Sequence, residues 1–297
     1  MDRARSTSTN PSNRAAPAEK RRRPPLSGIR STAAALLALA AMTTACDSTP
    51  DPSEDRSTPI HATTPPAAIP TTSVTLPADV PSIGAPDGIP DVTPIRRWAA
   101  DLVSNTLPDL EAKCWTVAPA HVAEVYERRD AVLAAAAGPG AVEGETLVWR
   151  DGDIVLAVPR AALATGYACP RRYAPGERIG FDDADARHTV YRYLARFTGE
   201  PVDPDDKEDA YPLVCRATPA DWDPEDTGTP IPAPLANNPG VLTGTKHFSP
   251  EEMRSAPLRA GYHSVSVPVT NAAGFTLTRT FLLAERPAGY CLGDVTP

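Results

Sequence analysis

The sequence has little of what most catalytic motifs require. Its five histidines are dispersed, and no two of them have the spacing of a zinc-binding motif. No Gly-x-Ser-x-Gly motif occurs, and the segment GPGAVEGE lacks the spacing of phosphate-binding loops. We therefore assign no catalytic residue, no metal and no cofactor, and we expect His121, His188 and His263 to be structural, solvent-facing residues.

The chain also lacks an apolar run of the roughly 20 residues that a membrane-spanning helix needs. Its longest uncharged apolar segment, STAAALLALAAMTTA, covers residues 31–45 and follows the basic cluster at 20–23. A basic segment, a short apolar segment and then small residues are the pattern of a secretory signal peptide. The sequence therefore predicts export, with residues 1–45 as the signal.

Positive charge is scarce once that signal is set aside. Residues 1–45 contain 8 of the 29 basic residues and 2 of the 37 acidic residues, which leaves a formal net charge of −14. Nucleic-acid binding depends on basic surface, because the phosphate backbone supplies most of the affinity. The composition therefore excludes nucleic acid as a partner.

The signal ends in a short motif around the first cysteine. Thr43, Thr44 and Ala45 precede Cys46 directly, and this segment resembles the lipobox of bacterial exported lipoproteins. The resemblance implies that Cys46 carries a diacylglycerol and holds the chain at the extracytoplasmic face of the cell membrane. The alternative is ordinary cleavage after Ala45, which would leave Cys46 as a free thiol.

Residues 46–94 are rich in Pro, Ser, Thr and Ala, as in STPIHATTPPAAIPTTSVTLP. Such a segment has too few large apolar residues to offset the entropy of ordering, so we predict a disordered stalk. The remaining residues form the head, which we divide into one unit at 95–182 and another at 183–297.

The two halves of the head share a cysteine pattern. KCWTVAPA at 113–120 is similar to VCRATPA at 214–220, and TGYACP at 165–170 is similar to AGYCLG at 288–293. Four cysteines allow three pairings, and the repeat favours Cys114 with Cys169 and Cys215 with Cys291. We predict an α+β fold of two weakly similar units, each with an antiparallel sheet, helices and one disulfide.

Local patterns predict the main elements. Apolar residues at helical spacing indicate helices at 95–107, 119–137 and 183–197, the last capped by Asp182 or Asp183. Alternating residues indicate a hairpin over 263–283, with Val265, Val267, Val269, Phe275, Leu277, Phe281 and Leu283 on its core face. Pro268 lacks a backbone donor, so it belongs where no ladder bond is needed.

Two features are candidates for binding. The acidic segment DPDDKEDAY departs from the calcium-loop motif. Two interpretations remain: a solvated loop, or an irregular cation site built from Asp203, Asp205, Asp206 and Asp209. Trp222 opens the Pro-rich loop at 219–240, where it would either pack the loop down or anchor a partner from an exposed position.

The sequence best fits a non-catalytic binding or accessory module of the cell envelope, with an envelope protein or glycan as its partner. The alternative is an envelope hydrolase with an unrecognised carboxylate site. A cleft between the units, lined by buried carboxylates with shifted pKa values, would favour the hydrolase.

Overall fold

The computed structural model describes residues 80–259 and 261–296. The predicted signal peptide, Cys46 and most of the predicted stalk lie outside these residues. The described residues have an α+β fold, with helices, two antiparallel sheets and two disulfides. The predicted fold class is therefore confirmed.

The first sheet follows four helices in the chain. The helices are α1 (Thr93–Ser104), α2 (Leu107–Lys113), α3 (Pro119–Glu127) and α4 (Arg129–Ala137). The strands are β1 (Gly140–Glu143), β2 (Thr146–Asp151), β3 (Ile154–Pro159) and β4 (Arg171–Tyr173), and they pair in that order. Trp98 of α1 and Trp149 of β2 are buried in the core between the helices and the sheet.

The helix predicted over 119–137 is two helices. Arg128 has φ −110° and ψ 20°, outside the helical range, and it ends α3 and precedes α4. Val122 and Val125 of α3 and Val132 of α4 are all buried in the same core. The apolar stripe was therefore identified correctly, but periodicity alone did not indicate the break within it.

The second sheet is formed by strands from the end of the chain. Its elements are α5 (Asp183–Thr198), α6 (Pro234–Asn237), β5 (Thr245–Phe248), β6 (Arg254–Arg259), β7 (Tyr262–Asn271), β8 (Thr276–Arg286) and β9 (Gly289–Thr296). The strand order is β5-β7-β8-β9, and β6 also pairs with β7. Helix α5 contacts β5, β6, β7 and β9 and so covers one face of this sheet.

The predicted core face of the β7–β8 hairpin is only partly buried. The three valines of β7 lie in the core together with Phe281 and Leu283. Phe275 and Leu277, in contrast, are 69% and 56% exposed. They lie at the turn end of the hairpin, where the chain extends past the pairing of β8 with β9, which reaches only Thr280. Strand alternation therefore continues where the neighbouring strand has ended.

Pro268 lies where its missing donor is not needed. Strands β5 and β6 pair with different stretches of β7, and Pro268 lies between those stretches. The carbonyl of Pro268 accepts a hydrogen bond from the backbone of Ser249 on that side. Since the N–H and C=O groups of a strand residue point the same way, the pairing with β8 loses no bond.

Both disulfides have the predicted pairing. Cys114 bonds to Cys169 with an S–S distance of 1.99 Å, and Cys215 bonds to Cys291 at 2.05 Å. Cys114 is at the end of α2, however, so the repeated cysteine motif does not occupy a strand in both halves. The sequence repeat thus predicted both disulfide pairs correctly, although the repeated cysteines do not lie in equivalent secondary-structure elements.

The folded head begins before the predicted stalk ends. Ile89 and Val92 are buried in the first core. The Gly84 N–H donates to the carbonyl of Ala136 at 2.9 Å, and the Trp149 indole N–H donates to the carbonyl of Gly84 at 2.7 Å. The stalk predicted to run to residue 94 is therefore corrected, because its last part is packed on the head.

We expect Gly84→Ala to lower the free energy of unfolding by about 1–3 kcal/mol, through the loss of buried hydrogen bonds. A Cβ atom at this position would lie 1.8 Å from the carbonyl oxygen of Gly138, so the segment would have to move. Urea unfolding of the full chain measures this loss, with the exposed substitution Ala85→Ser as control. Equal stability of both variants would mean that the segment contributes nothing to the head.

Candidate functional site

Helix α5 has two different buried faces. Its N-cap residue Asp182 accepts hydrogen bonds from the backbone N–H groups of Ala184 and Asp185, and Asp185 bonds back to the N–H of Asp182. One face packs into the second core through Ala186, Val190 and Leu194. The other face is polar and consists of Asp185, His188, Thr189 and Arg192. The last three follow Asp185 by three, four and seven residues, so all four lie on one side of the helix.

This polar face borders two cavities, which we call together the cleft. Their volumes are about 270 Å³ and about 480 Å³. They share six lining residues: Thr116, Phe181, Asp185, Arg192, Pro212 and Ala288. The cleft thus lies between α5, the segment after α2, the loop after α5 and the turn between β8 and β9.

Arg192 is the most strongly constrained charge of the cleft. Its Nε and Nη2 donate to the two carboxylate oxygens of Asp206, at 3.3 and 2.6 Å, and Arg196 also donates to Asp206. Its guanidinium carbon lies 4.8 Å from the centre of a Trp115 ring. Burial lowers the pKa of Arg192. Burial alone would raise the pKa of Asp206, but the hydrogen bonds from Arg192 and Arg196 lower it.

His188 is held in its neutral form. Burial lowers its pKa to about 4, although its hydrogen bond to a backbone carbonyl opposes this shift. Its Nε2 lies 2.8 Å from the carbonyl oxygen of Trp115. Because a carbonyl can only accept, Nε2 carries the proton and Nδ1 has a free lone pair. His188 lines the larger cavity.

A second charged group lies at the N-terminus of α5. His121 Nε2 is 3.2 Å from Asp182 Oδ1 and 3.5 Å from Asp185 Oδ2. Arg171 donates to Asp185 and, at 3.0 Å, to the carbonyl of Gly180. Burial by itself would lower the pKa of His121, but the hydrogen bonds to Asp182 and Asp185 outweigh it and raise the pKa to about 9.

His121, Asp182 and Asp185 also have ligand atoms close enough to surround a metal ion, within 4.8 Å of one another. Arg171 Nη2, however, lies 3.0 Å from His121 Nε2 and contacts Asp185 as well. A fixed guanidinium there already neutralises the carboxylates and would repel a cation. The arrangement is therefore that of a network of two positive and two negative groups.

The structure does not bring the four predicted acidic residues together. Asp206 is buried on Arg192 and Arg196, whereas Asp205 and Asp209 are exposed. The side chain of Asp203 caps its own loop by accepting from the backbone of Asp205 at 2.8 Å. An irregular cation site at this position is therefore wrong, because its central carboxylate faces inward to two guanidinium groups.

Trp222 is not an exposed anchor either. It is 2% exposed, and its ring packs edge-on against Tyr262 with the ring centres 5.4 Å apart. Its backbone pairs with Ile231, so it closes the Pro-rich loop onto the head. Trp222 therefore packs the Pro-rich loop onto the head and is not an exposed anchor for a partner.

The residues of α5 that line the cleft have only weak signals in the sequence. Asp185, His188, Thr189 and Arg192 form the polar side of an amphipathic helix, and such a side normally faces solvent. His121 and His188, expected to face solvent, are instead bonded inside the head. Only the helical spacing of four polar residues, including one histidine and one arginine, pointed to this face.

Comparison of the chain with protein-family models finds no match, and comparisons with curated proteins and with solved structures find none. Within residues 80–259 and 261–296, no helix is both long and apolar enough to cross a membrane.

The charged network predicts a pH dependence of stability. The pKa of His121 is raised from 6.5 to about 9, so the stabilisation from its protonation is complete below pH 6.5 and disappears as the pH rises through about 9. We expect a loss of about 1–2 kcal/mol over this range, reduced by solvent screening at Asp182.

Chemical unfolding of the full chain at pH 6, 7.5 and 9.5 measures this loss. His121→Gln should remove this part of the pH dependence, and the exposed His247→Gln should leave it in place. Identical profiles for His121→Gln and the unsubstituted chain would contradict the assignment.

Proposed function

We propose that this chain is an exported, lipid-anchored and non-catalytic binding module of the cell envelope, and that its cleft holds the ligand. One observation carries the proposal. The cleft combines small apolar walls with buried polar side chains that are fixed by neighbours yet have free donor and acceptor atoms. Such a combination is typical of binding sites.

The carboxylates of the head support binding rather than hydrolysis. A glycoside hydrolase needs a carboxyl group whose pKa is raised, so that it can donate a proton. In the described ranges, every carboxyl with a displaced pKa is displaced downward, as at Asp182 and Asp206. Asp185 is the one carboxylate shared by both cavities, and it bonds to Arg171. The hydrolase alternative therefore has less support.

Cysteine pairing supports the lipid anchor. The chain has five cysteines, and four of them pair with one another. Cys46 therefore has no thiol partner within the chain, as expected of a lipidated residue. An anchored module with a net negative charge would take an envelope protein or glycan as its partner, and not a nucleic acid.

Filling the cleft should abolish ligand capture. Ala288 lies in the exposed turn between β8 and β9 and lines both cavities, so Ala288→Trp would occupy the cleft without disturbing a core. Ala273→Trp adds the same bulk at the opposite end of β8 and is the matched control. We expect capture from envelope extract, read by mass spectrometry, to fall at least about ten-fold for Ala288→Trp only.

Equal capture by both tryptophan variants would exclude the cleft as the binding site. No capture by the unsubstituted chain above a charge-matched control protein would contradict the binding function itself.

The anchor has its own test. Cys46→Ser should move the chain from the membrane fraction to the soluble extracytoplasmic fraction, because no acyl chain would then be attached. Cys114→Ser with Cys169→Ser, which removes two cysteines that are bonded to each other, should leave the distribution unchanged. Intact mass measures the diacyl adduct directly, and its absence from the unsubstituted chain would disprove lipidation.

A further inference from the structure

Helix α5 presents a donor group to the cleft that has no partner in the described ranges. Arg192 is 8% exposed at its side chain and uses Nε and Nη2 on Asp206. Its Nη1 has no hydrogen-bond partner in the described ranges, and Arg192 lines both cavities. Nη1 carries two N–H donors, so it is available to an acceptor that enters the cleft.

Two acceptors lie along the same face of α5. His188 Nδ1 has a free lone pair, because His188 is neutral and Nε2 carries its proton. Asp185 uses Oδ2 for Arg171 and for the backbone of Asp182, and its Oδ1 has no partner within the described part of the chain. At a rise of about 1.5 Å per residue, these acceptors lie roughly 6 and 10 Å along the helix from Arg192.

This order of groups matches the end of a peptide. A carboxylate would accept from Arg192, and backbone N–H groups would donate to His188 and Asp185. Extended peptides advance about 3.3–3.6 Å per residue, so two or three residues would span the three groups. The remaining walls of the smaller cavity are mostly small and apolar, and they include Val117, Ala161 and Ala162.

The local charge balance favours a single negative charge. Arg192 and Arg196 are opposed by Asp206 and Glu208. His121 and Arg171 are opposed by Asp182 and Asp185. Both groups are therefore neutral. Arg216, Arg286 and Asp221 also line the larger cavity and leave one positive charge in excess, which matches a carboxylate but not a doubly charged phosphate. A carboxylate needs only the two N–H groups that Nη1 offers.

We propose that the cleft binds the carboxyl-terminal end of a short peptide, with the carboxylate on Nη1 of Arg192 and peptide N–H groups on His188 and Asp185. This inference rests on the binding function proposed above, since it names the ligand class for the same cleft.

Calorimetric titration of the full chain, with disulfides intact, tests the proposal. The probes are N-acetyl-Ala-Ala-Ala as the free acid, the same peptide as its C-terminal amide, and inorganic phosphate. We expect saturable binding of the acid and at least about ten-fold weaker binding of the amide and of phosphate, as for loss of one hydrogen bond to a charged group.

The chain offers a matched pair of variants. Arg192 and Arg196 both lie on α5 and both bond to Asp206, but only Arg192 lines the cleft. Arg192→Lys should weaken binding of the acid about ten-fold. A lysine ammonium that binds Asp206 has no equivalent of the separate Nη1 group that arginine offers to the ligand. Arg196→Lys should change it less than about two-fold. Thermal unfolding of both variants separates this effect from a loss of stability.

Three results would overturn the inference: no saturable binding of the acid, equal affinity for acid and amide, or equal effects of the two lysine variants. Capture from envelope extract distinguishes the two proposals. If Ala288→Trp blocks capture while the acid fails to bind, the binding module stands and the peptide ligand is wrong. If the unsubstituted chain captures nothing, the binding function fails as well.

Discussion

The structure depends on the pairing of buried charge along helix α5. A charge that leaves water without a partner costs several kcal/mol, so each charged side chain on the buried polar face needs a counter-charge. Asp206, with a fully buried side chain, lies between Arg192 and Arg196, while Asp185 joins Arg171 near His121. These partners come from the loop after α5, from β4 and from α3, so one helix links segments far apart in the chain.

The sequence predicted the features that follow from local pattern. Apolar periodicity and an N-cap aspartate identified α5, and the repeat around the cysteines identified both disulfides. Strand alternation placed Val265 and Phe281 in a core but also placed Phe275 there, although its side chain is exposed. Periodicity gives the side of a strand on which a residue lies, and only the neighbouring elements decide how far burial extends along it.

The candidate site was harder to predict because its residues are polar. Composition suggested a stalk up to residue 94, yet Ile89 and Val92 are buried. The acidic segment suggested a cation site, but Asp206 of this segment pairs with Arg192 and Arg196 of α5. Charge pairing between a helix and its following loop has no periodic signature in a sequence. A polar helix face likewise has the same residue pattern whether it faces solvent or a cavity.

The positions of the disulfides give the cleft a dependence on cellular compartment. Cys169 forms part of the wall of the smaller cavity, and both Cys215 and Cys291 form part of the wall of the larger one. Such bonds persist in oxidising surroundings and are kept reduced in the cytosol. A newly made chain in a reducing compartment would therefore lack the covalent closure of both walls. For the exported module proposed above, oxidation after transport would complete the cleft in the compartment of its proposed ligand.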